Sequence, residues 1–188
     1  MATPQCCADP PTLNPAGGEG KVVDSFGGIT AYVSGARVQG RRRPHLRRLR
    51  PIQVWLKEHA PGKAFEEAKP VIAALKEQGV STVGAAGYCW GAGENNEIHA
   101  AVMSHPSFVT VEDIKEVKCP IAVLGAEIDK TSPPELVKQF EQIAHFVKIF
   151  PGVSHGWTVR YKSEDAGAVK SAEEALSDMI DWFSKNLQ

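Results

Sequence analysis

Residues 80–91 read VSTVGAAGYCWG, and this stretch decides the fold. Val80–Ala86 is a short β-type run, and the pentapeptide Gly87–Gly91 follows it directly. The pentapeptide matches the pattern of a tight strand-to-helix turn in which a nucleophile stands between two glycines, here with cysteine in the position of serine. The glycines leave room for a turn that projects Cys89 from the carboxyl end of its strand and points the Trp90 N–H at a substrate oxyanion. The alternative interpretation is a buried cysteine in a glycine-rich loop.

Helices and strands alternate outward from this stretch through the C-terminal two-thirds of the chain. Short apolar runs separated by helical patterns predict a mostly parallel sheet flanked by helices, the α/β class. The predicted strands are 80–86, 98–104, 120–126 and 146–150. The predicted helices are 64–78 (stopped by Gly79, with Pro70 as a bend or true start), 110–117 (capped by Thr110), 133–143, and a final helix capped by Ser163. In the final helix the apolar residues Val169, Ala172, Leu176, Met179, Ile180 and Phe183 recur at three and four, so they are expected to face the core.

The N-terminal third is less regular. Residues 1–20 are rich in proline, glycine and small polar residues and are expected to be a loose lead-in. Lys21–Asp24 and Ile29–Val33 are β-type runs separated by two glycines, which predicts a hairpin. Arg37–Arg50 then holds seven of the eight arginines and no acidic residue, so it is an atypical segment in a chain that otherwise relies on lysine.

Composition limits the possible classes of protein. The chain has 188 residues, 43% of them hydrophobic and 23% charged, with a net charge of -1. These values predict one globular domain over residues 1–188 and exclude a disordered chain, a collagen and a coiled-coil rod. No apolar run reaches membrane-spanning length, and the first residues do not resemble a secretory signal, so a cytoplasmic location is expected. The four cysteines have neither zinc-site spacing nor disulfide-framework density and are expected to be reduced.

Two further residues could complete a nucleophilic site. A nucleophile needs a base, and the base needs a group that orients it. Asp129 follows the predicted strand 120–126, and His155 follows the predicted strand 146–150. The carboxyl ends of parallel strands lie at one edge of a sheet, where open α/β folds place their sites, so Cys89, Asp129 and His155 are expected to meet there. Each residue also has an ordinary explanation, since Asp129 could cap a helix and His155 could be a hydrogen-bonded loop residue.

With these residues in place, the sequence resembles a known family. GYCWGA (87–92), LGAEIDKTSPP (124–134) and FPGVSHGWTVRY (150–161) are similar to segments of the dienelactone hydrolase family of α/β hydrolases, particularly its plant-type members. The paired cysteines at 6 and 7, followed by two prolines, fit those members too. The likeness covers about residues 1–36 and 52–188.

The resemblance implies a function. It implies a Cys89, Asp129 and His155 triad that hydrolyses a small ester or lactone through an acyl-cysteine intermediate, with no metal or organic cofactor. Trp157 would line the substrate pocket. Arg160 resembles an arginine that binds a substrate carboxylate in some members, at an offset that differs by one, and the alternative is a surface arginine. No nucleic acid or membrane partner is expected, and the sequence gives no oligomeric state.

The sequence also departs from the family pattern. A strand, a helix and a further strand of the family are replaced by Arg37–Arg50, and residues 91–96 are too few for the usual helix after the nucleophile. The missing segment would have supplied a second oxyanion donor and, in the founding type of enzyme, a glutamate that regulates the cysteine. The strand before Cys89 is then expected to lose a neighbour and become an edge.

These departures leave other interpretations open. One is a truncated relative that is impaired or inactive as an enzyme. Some plant-type members carry a glucanase label, but a glycosidase needs two carboxylates across the scissile bond, and only Glu127 and Asp129 come close in sequence. A third is binding of an acidic partner by Arg37–Arg50, although aromatic residues do not interleave the arginines.

Overall fold

The computed structural model describes residues 21–34, 37–40, 61–89 and 97–188. The chain divides into two compact units, one within Thr12–Ser81 and one that contains Thr82–Gln188. A single domain over residues 1–188 therefore stays a prediction. Residues 1–20 and most of the arginine-rich segment, Arg41–Arg50, lie outside the described residues.

The first unit contains a three-stranded antiparallel sheet and one helix. Its elements are β1 (Lys21–Phe26), β2 (Ile29–Ser34), β3 (Arg37–Gly40) and α1 (Pro61–Glu77). Gly27 and Gly28 join β1 to β2 with φ of 56° and 84°, as a tight hairpin turn requires, so the predicted hairpin is confirmed. A side chain at Gly27 would not fit, because a Cβ there would lie 2.6 Å from the Pro70 backbone.

Two predictions for this unit need correction. The sequence predicts no helix or strand within Arg37–Arg50, but Arg37–Gly40 pairs with β2 as a third strand. A strand that follows its partner after only two residues gains ladder hydrogen bonds at little loop-closure cost, even where its pattern is weak. The helix begins at Pro61, so Pro70 lies inside it and is not its start.

The second unit is built on a parallel sheet. Its strands are β4 (Gly84–Tyr88), β5 (Ala100–Ser104), β6 (Ile121–Ile128) and β7 (Phe146–Ser154), and they lie side by side in the order 4-5-6-7. Its helices are α2 (Val111–Glu116), α3 (Pro134–Phe140) and α4 (Ala166–Asn186). All of β5 and the first six residues of β6 are buried, as expected of strands covered on both faces.

Helices cover both faces of this sheet. On one face Leu124 and Phe150 pack in a cluster with Ala175 and Met179 of α4. On the other face Met103 and Val123 pack with Val137 and Phe140 of α3. The α/β architecture predicted from the sequence is thus confirmed. Among the described strands β4 pairs only with β5, so it is the edge that was expected. The described helices include none that is both long and apolar enough to span a bilayer.

Three of the four strands end later than the sequence predicts, and this matters for the site; β5 ends at Ser104 as predicted. β4 ends at Tyr88, β6 at Ile128 and β7 at Ser154. Cys89, Asp129 and His155 are therefore each the first residue after a strand. The ladder between β6 and β7 continues past an irregularity to the pair Ile128 and Ser154. Because these strand ends are exposed to solvent, the pattern of apolar residues does not show that the strands extend this far.

Helix ends are set by capping side chains. Thr110 caps α2 through a capping box with Asp113, as predicted. The prediction that Ser163 caps the last helix is wrong: Asp165 is the cap, and its carboxylate accepts from the N–H groups of Gly167 and Ala168. A carboxylate directly before the first turn also interacts favourably with the helix dipole.

The core-facing stripe of α4 is narrower than predicted. Ala172, Ala175 and Met179 are buried, whereas Leu176 and Ile180 are about half exposed. The helix turns the face centred on Ala175 towards the sheet, and Leu176 and Ile180 lie outside this face.

The cap assignment predicts a contrast between two exposed residues. Asp165→Ala should lower the free energy of unfolding by about 1 kcal/mol, because two N–H groups lose their acceptor. Ser163→Ala should leave it unchanged, because within the described residues the Ser163 hydroxyl donates to the side chain of Glu164 and caps no backbone group. Urea denaturation followed by circular dichroism measures both, and an equal loss in the two variants would contradict the assignment.

Candidate active site

Three side chains from three loops form a continuous chain of contacts. His155 Nε2 lies 3.2 Å from the Cys89 Sγ, and His155 Nδ1 lies 2.7 Å from the Asp129 Oδ2. Both separations are within hydrogen-bond reach for their atom types. The meeting of these residues at one edge of the sheet, predicted from the sequence, is confirmed.

Cys89 occupies a strained backbone position. Its φ is 62°, in the left-handed region that non-glycine residues rarely adopt. This conformation turns the chain sharply at the end of β4, as a nucleophile between glycines requires. Burial acts to raise the pKa of the Cys89 thiol, but hydrogen bonds from His155 and Ser107 and the nearby positive charges outweigh it, so the pKa is lowered. The thiolate is therefore favoured.

Asp129 is held as a buried carboxylate. Its side chain is fully inaccessible, and its Oδ1 accepts from the backbone N–H groups of Thr131 (2.7 Å) and Ser132 (3.2 Å). Burial acts to raise the pKa of Asp129, yet the hydrogen bonds from His155 and from these amides outweigh it and lower the pKa. Oδ2 is left to accept from His155, which fixes the orientation of the imidazole ring.

His155 is held in its charged form. Burial acts to lower its pKa, but the contacts with Asp129 and Cys89 raise the pKa of His155 to about 9. The pKa of Cys89 moves down while that of His155 moves up, and both shifts favour a thiolate beside an imidazolium. Such a pair supplies both a nucleophile and a proton donor.

The loop after β5 contributes two residues that the sequence analysis did not propose. Ser107 is buried, and its hydroxyl lies 3.4 Å from both the Cys89 Sγ and the His155 Nε2. His105 is fully buried, and its ring meets that of His155 edge-on at 5.0 Å between centroids. The signal was present, because His105, Pro106 and Ser107 directly follow the predicted strand 98–104 at the same edge of the sheet.

His105 is a neutral neighbour of a charged ring. Burial, aided by the charge of His155, lowers the pKa of His105 to about 3. Its Nε2 lies 2.7 Å from the Thr158 Oγ1, while its buried Nδ1 has no hydrogen-bond partner among the residues that the structure describes. The contact with Thr158 joins the loop after β5 to the loop that carries His155.

The remaining predicted site residues occupy different environments. Trp157 is 5% exposed and packs in the core between Phe150 and His105. The Arg160 guanidinium lies beside Gly156, where a Cβ would be 3.4 Å from its Cζ, and its charge contributes to the lowered pKa of Cys89. Trp90 lies outside the described residues.

A small cavity adjoins these residues. It has a volume of about 100 Å³ and is lined by residues that include Tyr88, Thr158, Tyr161, Leu176 and Met179. Tyr88 directly precedes Cys89, and Thr158 contacts His105. Within the described residues, no group of three or more histidine, cysteine and acidic side chains is arranged to hold a metal ion.

Comparison with known proteins places this geometry in a family. The model of the dienelactone hydrolase family matches residues 46–187. An endo-1,3;1,4-β-D-glucanase of Zea mays is 36% identical over 186 residues, covering 74% of this chain and 61% of that protein. A dienlactone hydrolase 1 of Gibberella moniliformis is 26% identical over 134 residues, covering 64% of this chain and 51% of that protein. The chain thus spans less than two thirds of either relative.

Solved structures agree on the fold. A proposed dienelactone hydrolase of Klebsiella pneumoniae superimposes with a TM-score of 0.60 at 19% identity, covering 72% of this chain and 68% of that one. A dienelactone hydrolase-like promiscuous phosphotriesterase from metagenomic libraries gives 0.56 at 15% identity, covering 85% and 76%. The resemblance read from the sequence motifs is confirmed at the level of family and fold.

The electrostatics of the site predict two distinct histidine titrations. NMR of ring-labelled histidine should show His155 losing its proton near pH 9 and His105 staying neutral until the pH falls towards 3. Asp129→Asn should lower the pKa of His155, because the imidazolium loses its carboxylate partner. His155→Gln and His105→Gln assign the signals, and a His155 titration near pH 6.5 in the wild-type protein would contradict the ion pair.

Proposed function

Since the chain belongs to the dienelactone hydrolase family, we propose that it hydrolyses a small ester or lactone with Cys89 as nucleophile, His155 as general acid and base, and Asp129 as orienting carboxylate. The observation that carries the proposal is the unbroken contact chain, 3.2 Å from sulfur to imidazole and 2.7 Å from imidazole to carboxylate. A Cys-His-Asp chain at the carboxyl edge of a parallel sheet, with the carboxylate buried and the sulfur partly exposed, is the arrangement that acyl transfer uses.

The first half-reaction forms an acyl-cysteine. The Cys89 thiolate attacks the carbonyl carbon, a C–S bond forms, and the carbonyl electrons move to oxygen. When the tetrahedral intermediate collapses, the C–O bond to the leaving group breaks and the alkoxide takes the proton from His155 Nε2. The Trp90 N–H is the proposed donor to the oxyanion.

The second half-reaction releases the acid. His155, now neutral, takes a proton from water as the water oxygen attacks the thioester carbonyl. The C–S bond then breaks, and the electron pair returns to sulfur as thiolate, which restores the ion pair with His155. Asp129 keeps the Nδ1 proton in place throughout, so that Nε2 is the nitrogen that exchanges protons.

Substrate preference follows from the charges around the sulfur. The Arg160 guanidinium acts electrostatically on Cys89, which supports a substrate that carries a carboxylate near its reactive carbonyl. Trp157 would support the site indirectly, because its buried ring packs against that of His105. The cavity beside Tyr88 would bind an apolar part of a small substrate. Identity to a Zea mays protein supports placement among plant-type members. A cytoplasmic location stays a prediction.

The name of the Zea mays relative raises a glycosidase as the second candidate. A glycosidase needs one free carboxylic acid and one carboxylate on opposite sides of the glycosidic bond. Both oxygens of Asp129 are engaged by His155, Thr131 and Ser132, and the Glu127 carboxylate accepts from the Gly152 N–H at 2.7 Å. This arrangement favours the esterase over the glycosidase.

The proposed mechanism predicts hydrolysis of p-nitrophenyl acetate that depends on one thiol. Cys89→Ala should abolish enzymatic turnover, and His155→Gln should reduce kcat/KM by about 10²- to 10⁴-fold through loss of the acid–base group. Cys119→Ala, which removes the other described thiol, should retain wild-type activity. Release of p-nitrophenol is followed by absorbance.

A parallel assay separates the alternatives. Mixed-linkage β-glucan should not be cleaved by the wild-type protein, and reducing-end release that survives in Cys89→Ala would favour the glycosidase. Folded, monodisperse wild-type protein with no Cys89-dependent ester turnover would contradict the proposal and favour a truncated, inactive relative.

A further inference from the structure

Ser107 touches the reacting sulfur, and the mechanism above gives it no task. Its hydroxyl lies 3.4 Å from the Cys89 Sγ and 3.4 Å from the His155 Nε2, while Nε2 and Sγ are 3.2 Å apart. The three atoms form a triangle in which each is a neighbour of the other two. Ser107 is 5% exposed, so water has little access to its hydroxyl from the far side.

The proton of this hydroxyl has two possible acceptors, and the state of the sulfur decides between them. A protonated Nε2 cannot accept, so wherever the sulfur is a thiolate beside the imidazolium, the hydroxyl donates to the sulfur. In the acyl-enzyme the sulfur is part of a neutral thioester, which is a weak acceptor. When the thioester collapses, negative charge returns to the sulfur within 3.4 Å of the hydroxyl.

We propose that Ser107 is a fourth catalytic residue, whose hydroxyl donates a hydrogen bond to the Cys89 sulfur whenever that sulfur is negatively charged and thereby speeds its departure from the acyl-enzyme. The inference rests on the proposed acyl-cysteine mechanism. No bond of Ser107 is made or broken: the thioester C–S bond breaks with its electron pair going to sulfur, and the serine keeps its proton. A donor aimed at charge that develops in the transition state lowers the barrier of that step.

The loop after β5 holds this hydroxyl rigidly. His105 anchors the loop through Thr158 at 2.7 Å and through edge-on contact with the Trp157 ring at 5.2 Å between centroids. The residues on either side of the Pro106-Ser107 pair, His105 and Phe108, have φ of 40° and 60°. Backbone strain of this kind persists only where the surrounding contacts hold it, which fits a donor placed in advance.

The charged surroundings do not make Ser107 redundant. The groups that act on the sulfur are His155, which is itself paired with Asp129, and Arg160, which acts at longer range; His105 is neutral. During deacylation His155 takes a proton from the attacking water and then faces the new hydroxyl group. Within the described residues, the side chains that lie within hydrogen-bonding distance of the sulfur are those of His155 and Ser107.

Three variants test the proposal. Ser107→Ala removes the hydroxyl at nearly constant volume, and Ser107→Thr keeps a hydroxyl as the conservative rescue. Ser104→Ala is the matched control. Ser104 is also buried and is the last residue of β5, just before the loop of Ser107, and its hydroxyl has no hydrogen-bond partner among the described residues. Thermal melting of each variant accounts for any loss of fold.

The first measurement needs no ester substrate. The rate at which iodoacetamide alkylates Cys89, followed by mass spectrometry of its peptide, is recorded against pH. Ser107→Ala should move the midpoint of this profile to higher pH by about one unit, as expected when a thiolate loses a hydrogen bond. Ser107→Thr and Ser104→Ala should keep the wild-type midpoint. An unchanged midpoint in Ser107→Ala would overturn the proposal, whatever happens to its melting temperature.

The second measurement resolves the two half-reactions. In stopped-flow mixing with p-nitrophenyl acetate, Ser107→Ala should keep its initial burst of p-nitrophenol while the rate after the burst falls by about 10- to 100-fold. Equal slowing of burst and later turnover would overturn the assignment to deacylation. If the wild-type protein shows no Cys89-dependent turnover, the proposed function fails, and the alkylation midpoint alone then supports or overturns the hydrogen bond to the thiolate.

Discussion

The site depends on one constraint, the parallel direction of β4, β5, β6 and β7. Strands that run the same way end at the same edge, so the first residue after each strand is brought near the others without any loop having to reach across the sheet. Cys89, Asp129 and His155 occupy that position after three strands, and the loop with Ser107 follows the fourth. Register between neighbours, such as Tyr88 opposite Ser104 and Ile128 opposite Ser154, fixes how far each residue projects.

Once together, the groups determine one another's charge. Burial alone opposes a charge on Cys89, on Asp129 and on His155. Contacts between neighbours offset this desolvation: backbone amides lower the pKa of Asp129, Asp129 raises the pKa of His155, and His155 lowers the pKa of Cys89. The order of dependence starts at Asp129, which is the buried member of the three. The rigid anchor is therefore the turn Asp129–Ser132, although the reactive atom is on Cys89.

The sequence predicted the residues of the contact chain better than the elements that carry them. Cys89, Asp129 and His155 each follow an apolar run and together supply a nucleophile, an orienting acid and a base, so pattern and chemistry pointed the same way. Ser107 and His105 were not predicted, because a serine or a histidine after a strand is often an ordinary loop residue. Only their proximity to Cys89 and His155 in the structure identifies them as part of the site. Asp165 displaced Ser163 as helix cap, since sequence cannot tell which of two nearby polar residues adopts the extended backbone of a cap. The 3.6-residue period identifies the apolar stripe of α4, but it does not show which residues of the stripe contact the sheet, since Leu176 and Ile180 are exposed.

The edge position of β4 makes β5 the strand on which catalysis would depend most. Within the described residues, β5 is the only strand that pairs with β4, so it holds the turn at Cys89 from one side alone. The same strand leads into the loop of His105 and Ser107, which contacts both Cys89 and His155. β5 is also buried along its whole length and lies between β4 and β6. Among the described elements, β5 thus both pairs with the strand of Cys89 and leads into the loop that carries the proposed hydrogen-bond donor to the sulfur. A rearrangement of Ala100–Ser107 would therefore displace the sulfur, the serine hydroxyl and the imidazole together.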